Sequence, residues 1–338
     1  MVYRNNMVKR WIVLFLCFSL KATYAKHDED PIMGHLANSY EWHFATIGQK
    51  HITLHLPVIV YKKDSGLHVF SSKNLRNADH QVVPYKGFIL KNQKVVSLDG
   101  TKVYDISITK NVASMLLSLL ILLLVFLSLA GYYRRNQGGS PRGGWVILAY
   151  LIDLVRNDIV KPNIDQAHRS RFTPYLLTLF FFIWINNFMG LLPGGANVTG
   201  NVSVTFVLAF FAFLLTNLNG SSYYWKHIFY PSGVPKWVMP ILVPIEFLGI
   251  FTKPFTLMLR LFANMLAGHL VLLNIICLIF VLNSILAPII SVPLGTFMFM
   301  IKLVIAFFQA YIFVFLLAKY LGAASHTKSV KNIDSTIE

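Results

Sequence analysis

Three charged side chains stand at intervals of seven in the most apolar part of this chain: Glu246, Lys253 and Arg260. An ionised group at the centre of a bilayer costs at least about 2.5–3.5 kcal/mol on insertion scales. Each such group therefore needs a partner, a water path or a route to the interface. The charged residues in 238–320 are only Glu246, Lys253, Arg260, Lys302 and Lys319, and the ionisable His269 joins them.

Spacing by seven places side chains on one face of a helix, because seven steps of 100° fall only about 20° short of two full turns. Asn264 continues the face of Arg260, and small residues at Ala263, Ala267 and Gly268 let another helix approach closely. The guanidinium of Arg260 cannot lose its proton to escape the burial cost. This face predicts contact with a partner or a pore wall, with Arg260 as its functional charge.

A second polar face lies on the following apolar segment, where Lys302 and Gln309 are again seven apart. Plainer interpretations exist for several of these residues. Lys253 and Lys319 could extend to a headgroup layer, which we favour for Lys319. Asn264 and Gln309 could be an ordinary hydrogen-bonded pair between helices.

The composition sets the class of protein. Of 338 residues, 55% are hydrophobic and 13% charged, which indicates a membrane protein. The formal net charge of +16 is spread over the N-terminal part and the ends of apolar segments, so nucleic-acid binding is not predicted. The two cysteines, Cys17 and Cys277, offer neither a disulfide framework nor a zinc spacing, and bulky Leu16 argues against a lipid anchor at Cys17.

The first 25 residues have the order of a secretory signal peptide: basic residues, an apolar run and a small-residue exit. An uncleaved first helix is the alternative, although the run is short for it. Residues 26–110 then read as a small β-rich domain outside the cytoplasm. Its signals are alternating apolar residues and a turn at Asp99-Gly100, and the alternating residues are Ile52, Leu54, Leu56, Val58 and Val60.

Seven of the eleven histidines fall between His27 and His80, which raises a metal site in this domain. No HExxH pattern or Cys/His ligand spacing accompanies them. Solvated histidines are therefore the favoured interpretation, and we expect neither a metal nor another cofactor.

From residue 111 the chain is of membrane type, and the predicted fold is an all-α polytopic membrane protein. Five membrane-embedded helices are expected, at 112–133, 173–193, 202–218, 238–282 and 294–321, the last two tilted because of their length. Arg134 and Arg135 place the end of the first on the cytoplasmic side. The charged segment 145–160 is expected to lie on that surface, a cytoplasmic loop should hold Lys226 and Lys236, and 326–338 should be a cytoplasmic tail.

At these residues the sequence resembles subunit a of the F-type ATP synthases of bacteria. The similarity rests on Pro254, on LRLFANMLAGH at 259–269, on NNFMGLLP at 186–193 and on QAYIF at 309–313. It covers about 111–325, and its arginine-centred motif is highly specific. The exported domain at 26–110 is larger than the short N-terminal segment typical of the family.

This resemblance implies a non-catalytic stator subunit in the bacterial inner membrane, whose tilted helical hairpin faces a rotor ring of c subunits. The b subunits of the peripheral stalk, the rest of the F1F0 complex and membrane lipid would be its further partners. Protons would enter one half-channel, neutralise a ring carboxylate, travel with the ring and leave by a second half-channel. Arg260 would pair with the ionised ring carboxylate and block a direct leak, and Glu246 would line the cytoplasmic outlet.

The resemblance also places Asn264, His269 and Gln309 near the extracytoplasmic inlet or the rotor contact. The family commonly holds a Glu/His pair at the positions of His269 and Lys302, whereas this chain has no carboxylate there. A histidine can relay protons near neutral pH. Lys302 could do so only with a greatly lowered pKa, and otherwise it would tune the local field or bind a carboxylate.

Two other classes of protein compete with this interpretation. A stand-alone ion-coupled transporter would usually show internal repeats and paired broken helices, and we find no convincing repeat. A structural membrane scaffold would use the same charges only for assembly. Co-isolation with a c ring and a soluble ATPase would distinguish the first interpretation from both.

Overall fold

A computed structural model describes residues 38–47, 50–75, 77, 82–91, 94–136, 141–192, 195–230, 235, 237–282 and 286–325. The predicted signal peptide at 1–25 and the predicted tail at 326–338 lie outside the described residues. Within them, the chain has a strand-rich N-terminal part followed by helices, as the sequence predicts.

Seven short strands form the N-terminal part. Strands β1 (Glu41–Ile47) and β2 (Lys50–His55) pair antiparallel, and so do β5 (Phe88–Lys91) and β6 (Lys94–Ser97). A three-stranded sheet has the order β4-β3-β7, from β3 (Pro57–Lys62), β4 (Gly66–Ser71) and β7 (Val103–Asp105). Their buried side chains form one small core, which contains Tyr40, Val58, Val60, Phe70, Leu75, Phe88 and Val95.

The alternating apolar residues belong to two different strands. Val58 and Val60 point into the core from β3, whereas Leu54 on β2 is 52% exposed. The alternation is not continuous because the chain leaves the β1–β2 pair at Leu56 and enters another sheet. The predicted turn is present, and Gly100 adopts a φ of +71° that favours glycine.

The N-terminal part is joined directly to the first long helix, α1 (Lys110–Arg135). The backbone amide of Lys110 donates to the carbonyl of Ser39 at 2.9 Å, and the amide of Asn111 donates to Oδ1 of Asn38 at 3.2 Å. The first amides of a helix have no partner within the helix. Residues 38–39 therefore cap α1, and they tie the strand-rich part to the start of this helix.

Six further helices follow: α2 (Trp145–Leu154), α3 (Gln166–Leu191), α4 (Val202–Leu218), α5 (Ser222–Phe229), α6 (Met239–Leu282) and α7 (Leu286–Ser325). Helix α2 continues as a wider turn over Val155–Val160 and a last turn over Lys161–Asn163. By length and apolar composition, α1, α3, α6 and α7 could each cross a membrane, and α4 with α5 would add a fifth span bent by 99°.

Three predictions of segment ends are wrong. Helix α3 begins at Gln166, seven residues before the predicted start at 173. Helix α7 begins at Leu286 rather than 294 and contains Pro293, because a proline in a long helix removes one hydrogen bond without ending the helix. Lys226 lies in α5 rather than in a loop, and the side chain of Ser221 accepts from the amide of Tyr224 to start that helix.

The segment 145–160 is helical, and its second half separates charged from apolar residues, whereas Val146, Ile147 and Tyr150 in the first half are exposed. Asp153, Arg156 and Asp158 are exposed, whereas Val155 and Ile159 are fully buried. These apolar residues belong to the same core as Leu176, Phe180 and Ile183 of α3 and Phe313, Val314 and Leu317 of α7. The second half of the segment is thus amphipathic and packs on the bundle through its apolar side.

Candidate functional site

Helices α6 and α7 form an antiparallel pair that carries all six predicted site residues. The ring of Tyr320 lies 5.6 Å from Nζ of Lys253, and Asn264 bonds to Gln309. Further along, Ile275 faces Gly295. Positions that advance along α6 contact positions that retreat along α7, so the two polar faces predicted from spacing meet each other.

The two amide side chains make the direct polar link between these helices. Nδ2 of Asn264 donates to Oε1 of Gln309 at 2.7 Å, and Gln309 is 3% exposed. Among the described residues, Nε2 of Gln309 has no hydrogen-bond partner. A buried amide with an unused donor retains the capacity to bind a water molecule or a group from another chain.

Lys302 and Gly268 are in close contact one turn further along. Lys302 is 7% exposed, and a Cβ added to Gly268 would lie 3.0 Å from its Cε. Glycine at 268 therefore leaves the space in which the lysine stem lies. His269, the next residue on α6, is partly buried, so His269 and Lys302 are found in the same stretch of the helix pair.

Arg260 lies between Lys253 and Asn264 on α6 and is partly buried. Among the described residues, no carboxylate lies within ion-pair distance of its guanidinium. Seven residues before Arg260 on the same face, Nζ of Lys253 lies 5.6 Å from the centroid of the ring of Tyr320 on α7. Tyr320 thus contacts the positive face at the level of Lys253.

A cavity of about 750 Å³ opens beside the N-terminal half of α6. It is lined by both polar and small residues, including Asp165, Tyr223, His227, Glu246, Lys253 and Gly322. Nδ1 of His227 lies 3.6 Å from Oε2 of Glu246. Glu246 and Lys253 of the predicted face thus line one open cavity, while Asn264, His269, Gln309 and Lys302 lie beyond Arg260.

Two residues of this arrangement, His227 and Tyr320, are not predicted by the sequence pattern. His227 belongs to a segment predicted to be a loop, and no periodicity links it to Glu246. Tyr320 closes an apolar run that was interpreted only as the end of a span. Their positions follow from the 99° bend between α4 and α5 and from the register of α6 on α7, neither of which the spacing specifies.

Comparison with known families gives matches to both parts of the chain. The profile of the family described as ATP synthase A chain matches residues 112–322. A second profile, described as a domain of unknown function, matches residues 31–115. The boundary between the two matches falls at the start of α1.

Three curated relatives are similar to the chain over most of its length. The chain is 38% identical to "ATP synthase subunit a" of Chloroherpeton thalassium over 73% of this chain and 76% of that protein. It is 42% identical to "ATP synthase subunit a 2" of Chlorobaculum tepidum over 67% and 66%. It is 43% identical to "ATP synthase subunit a" of an Anaeromyxobacter species over 65% and 54%.

Proposed function

Since the chain belongs to the ATP synthase A chain family, we propose that it is the proton-channel subunit of the F0 sector and carries protons to and from the carboxylates of a c ring. The competing interpretation as a stand-alone transporter has no support from the relatives. The subunit itself is proposed to be non-catalytic and without a cofactor, and to act as part of the ATP synthase complex.

The observation that carries this proposal is that Arg260 has no ion-pair partner among the residues that the structure describes. A partly buried guanidinium in a long apolar helix needs a counter-charge, and the described residues of this chain supply none within ion-pair distance. A carboxylate on a neighbouring c subunit would meet that need. When the carboxylate is ionised, Arg260 offsets its burial cost, and when it is protonated, the attraction is lost and the ring can move on.

Polar groups on both sides of Arg260 support two separate half-channels. Glu246 precedes Arg260 by 14 residues, about 21 Å along a helix, and His269 follows it by nine, about 14 Å. We assign the cavity beside Glu246 to the outlet, Asn264, Gln309 and His269 to the inlet or the rotor contact, and Lys302 to the inlet alone. The fixed charge of Arg260 between them opposes the direct passage of a proton.

The inlet of this chain lacks the carboxylate that the family commonly has there. His269 is the group that can take and release protons near neutral pH. Lys302 lies with its stem against Gly268 and its side chain buried. We assign to Lys302 the role of a positive charge near the inlet. A positive charge disfavours protonation of neighbouring groups such as His269, so protons pass on toward the ring instead of staying bound.

We further propose the bacterial inner membrane as the location, with residues 26–110 outside the cytoplasm and the C-terminus inside. Arg134 and Arg135 at the C-terminal end of α1 support this orientation. The c ring, the b subunits and the remaining F1F0 subunits are the proposed protein partners, and nucleic acid is not among them.

Arg260→Ala tests the proposal in inverted membrane vesicles that contain the whole complex. ATP-driven proton pumping should be abolished, while the c ring and the soluble ATPase still co-purify with this subunit. Lys319→Ala is the matched control, because Lys319 is exposed and lies over Phe315 at 5.0 Å. Normal pumping by Arg260→Ala, or purification of the native chain without a c ring, would contradict the proposed function.

A further inference from the structure

The cavity beside Glu246 is walled by groups from several parts of the chain. Helix α5 contributes Tyr223, Tyr224 and His227, and α6 contributes Glu246 and Lys253. Asp165 comes from the start of α3, and α7 contributes only the uncharged Gly322 and Ala323. The ionisable groups that line the cavity are therefore Asp165, Tyr223, Tyr224, His227, Glu246 and Lys253.

Glu246 and His227 are neighbours on the wall of this cavity, and the side chain of Glu246 is the more deeply buried of the two. The side chain of Glu246 is 27% exposed, and its Oε2 is buried without a hydrogen-bond partner among the described residues. The side chain of His227 is 51% exposed, and its Nδ1 lies 3.6 Å from that same oxygen. The separation is about 0.6 Å longer than a normal hydrogen bond, which a small side-chain rotation closes.

We propose that His227 is a second proton-carrying residue of the outlet, placed between Glu246 and the water outside. This inference rests on the proposed function, since it concerns protons that reach Glu246 from the ring. In the outward step, Oε2–H of Glu246 gives its proton to Nδ1 of the neutral imidazole, which leaves a carboxylate beside an imidazolium. The imidazolium then releases the Nε2 proton to water, and the neutral ring is restored after tautomer exchange through water.

The other groups of the cavity are less suited to this step. Phenol and ammonium side chains ordinarily hold their protons well above neutral pH, whereas an imidazole exchanges its proton near neutrality. Nζ of Lys253 is also placed over the ring of Tyr320 rather than toward Glu246. Asp165 is the second carboxylate of the wall, and the structure places His227, not Asp165, opposite the buried oxygen of Glu246.

The experiment uses membranes with the whole complex and compares His227→Gln and His227→Ala with the native protein. Proton pumping by the intact complex, and passive proton conductance after removal of the soluble ATPase, are measured from pH 6 to 9. His168→Gln is the matched control, since His168 is a partly buried histidine that packs against Phe172 outside the cavity.

We expect His227→Gln to lower passive conductance roughly tenfold and to flatten its dependence on pH. The effect is smaller than general acid–base catalysis often gives, because water in the open cavity partly replaces the side chain. Added imidazole should restore conductance in His227→Ala, since the 750 Å³ space admits it. His168→Gln should behave as the native protein and should not respond to imidazole.

Unchanged conductance with an unchanged pH profile in His227→Gln would overturn the inference. A lower conductance with the native pH profile would also overturn it, because it would show a structural effect alone. If Glu246→Gln and Arg260→Ala fail to pump while His227→Gln pumps normally, the proposed function stands and only the role of His227 falls. Normal pumping by Arg260→Ala would instead reject the proposed function itself.

Discussion

The side-chain amide of Asn264 donates a 2.7 Å hydrogen bond to Oε1 of Gln309, which joins the two long helices one turn from Arg260. Because this bond lies within a close helix pair, it fixes the rotation of α6 about its own axis. The direction in which Arg260 points from α6 depends on that rotation. The amide pair thus orients the charge that we propose to be functional, although neither residue touches Arg260 in the described contacts.

Disruption of the Asn264–Gln309 hydrogen bond should lower proton pumping because it changes the orientation of Arg260 on α6, and not because a charge is lost. We expect Asn264→Leu to leave the buried Gln309 without its partner and to cost about 0.6–1.7 kcal/mol of helix association. ATP-driven pumping in vesicles should fall several-fold while the complex still assembles. The exchanged variant, Asn264→Gln with Gln309→Asn, should recover part of the rate because the pair is rebuilt.

A double-mutant cycle on these two positions provides the decisive comparison. If the effects of Asn264→Leu and Gln309→Leu on the pumping rate were simply additive, the hydrogen bond would not be the element that matters. We expect instead that the second substitution adds little to the first.

Lys302→Met should slow proton pumping without weakening the attachment of the c ring. Methionine preserves the length of the stem that lies against Gly268, so the substitution removes the charge and leaves the packing. The measurements are the initial pumping rate from pH 6 to 9 and the amount of c subunit that co-purifies. Lys302→Arg, which keeps the positive charge, is the companion variant and should retain more activity.

Equal rates for Lys302→Met and the native protein at every pH would assign Lys302 a packing role only. Loss of the c ring from the purified variant would also contradict the prediction, since it would place Lys302 in the rotor contact.

Spacing alone specified the polar faces of α6 and α7. The interval of seven from Glu246 to Lys253 and Arg260 predicts one face, and the contacts of Lys253 and Asn264 with α7 confirm that this face meets the second helix. The register between the helices could not be predicted, because a periodic pattern says which side is polar and not which turn faces which. Tyr320 became part of the site only through that register.

His227 was missed for a different physical reason. It lies on α5, an eight-residue helix that follows a 99° bend, so its neighbours are set by tertiary packing rather than by any pattern in the local sequence. The buried turn over Val155–Val160 is similar. Its apolar residues can be identified from the sequence. The core into which they pack is formed by residues of α3 and α7, which lie more than ten residues away in sequence.

Gly322→Ala should reduce the amount of folded subunit in the membrane. A Cβ at this position would lie 1.8 Å from the carbonyl oxygen of Asn163, and backbone atoms there cannot move aside as a flexible side chain could. The C-terminal end of α7 would be forced away from the segment after α2, which opens the core around Leu321. Immunoblots of washed membranes and co-purification of the complex measure the effect.

Gly131→Ala is the matched control, because a Cβ at this helical position meets no atom within 4 Å. The control should accumulate normally or slightly better, since alanine favours a helix. Equal accumulation of the two variants would show that α7 can shift at Asn163 without loss.

Tyr40→Phe should make the strand-rich part less stable and remove part of its sensitivity to alkaline pH. The hydroxyl of Tyr40 is buried, bonds to the carboxylate of Asp105 and accepts from the amide of Val95 at 3.3 Å. Burial first, and then Asp105, raises the pKa of Tyr40 above its ordinary value of about 10. The folded protein therefore holds the phenol proton more tightly than the unfolded chain does.

The sign of the pH effect follows from this raised pKa. The stabilisation by Tyr40 is complete below about pH 10, the value for an unfolded tyrosine, and it declines as the pH rises above 10. Loss of a hydrogen bond to a charged group should cost about 1.5–3 kcal/mol at neutral pH in Tyr40→Phe. Above pH 10 the difference between the variant and the native protein should shrink.

The measurement is the urea concentration at which the strand-rich part of the purified complex becomes sensitive to protease. Samples are equilibrated at pH 7, 9, 10 and 11, and a brief digestion at one common pH then reports the unfolded fraction. Tyr104→Phe is the control, because Tyr104 is 62% exposed and its ring faces Tyr61 at 6.5 Å. If Tyr40→Phe and Tyr104→Phe lost stability in parallel from pH 9 to 11, the buried phenol would not be the alkaline-sensitive group.

Because residues 38–39 cap α1, we further expect destabilisation in Tyr40→Phe to increase hydrogen exchange at the amides of Lys110 and Asn111.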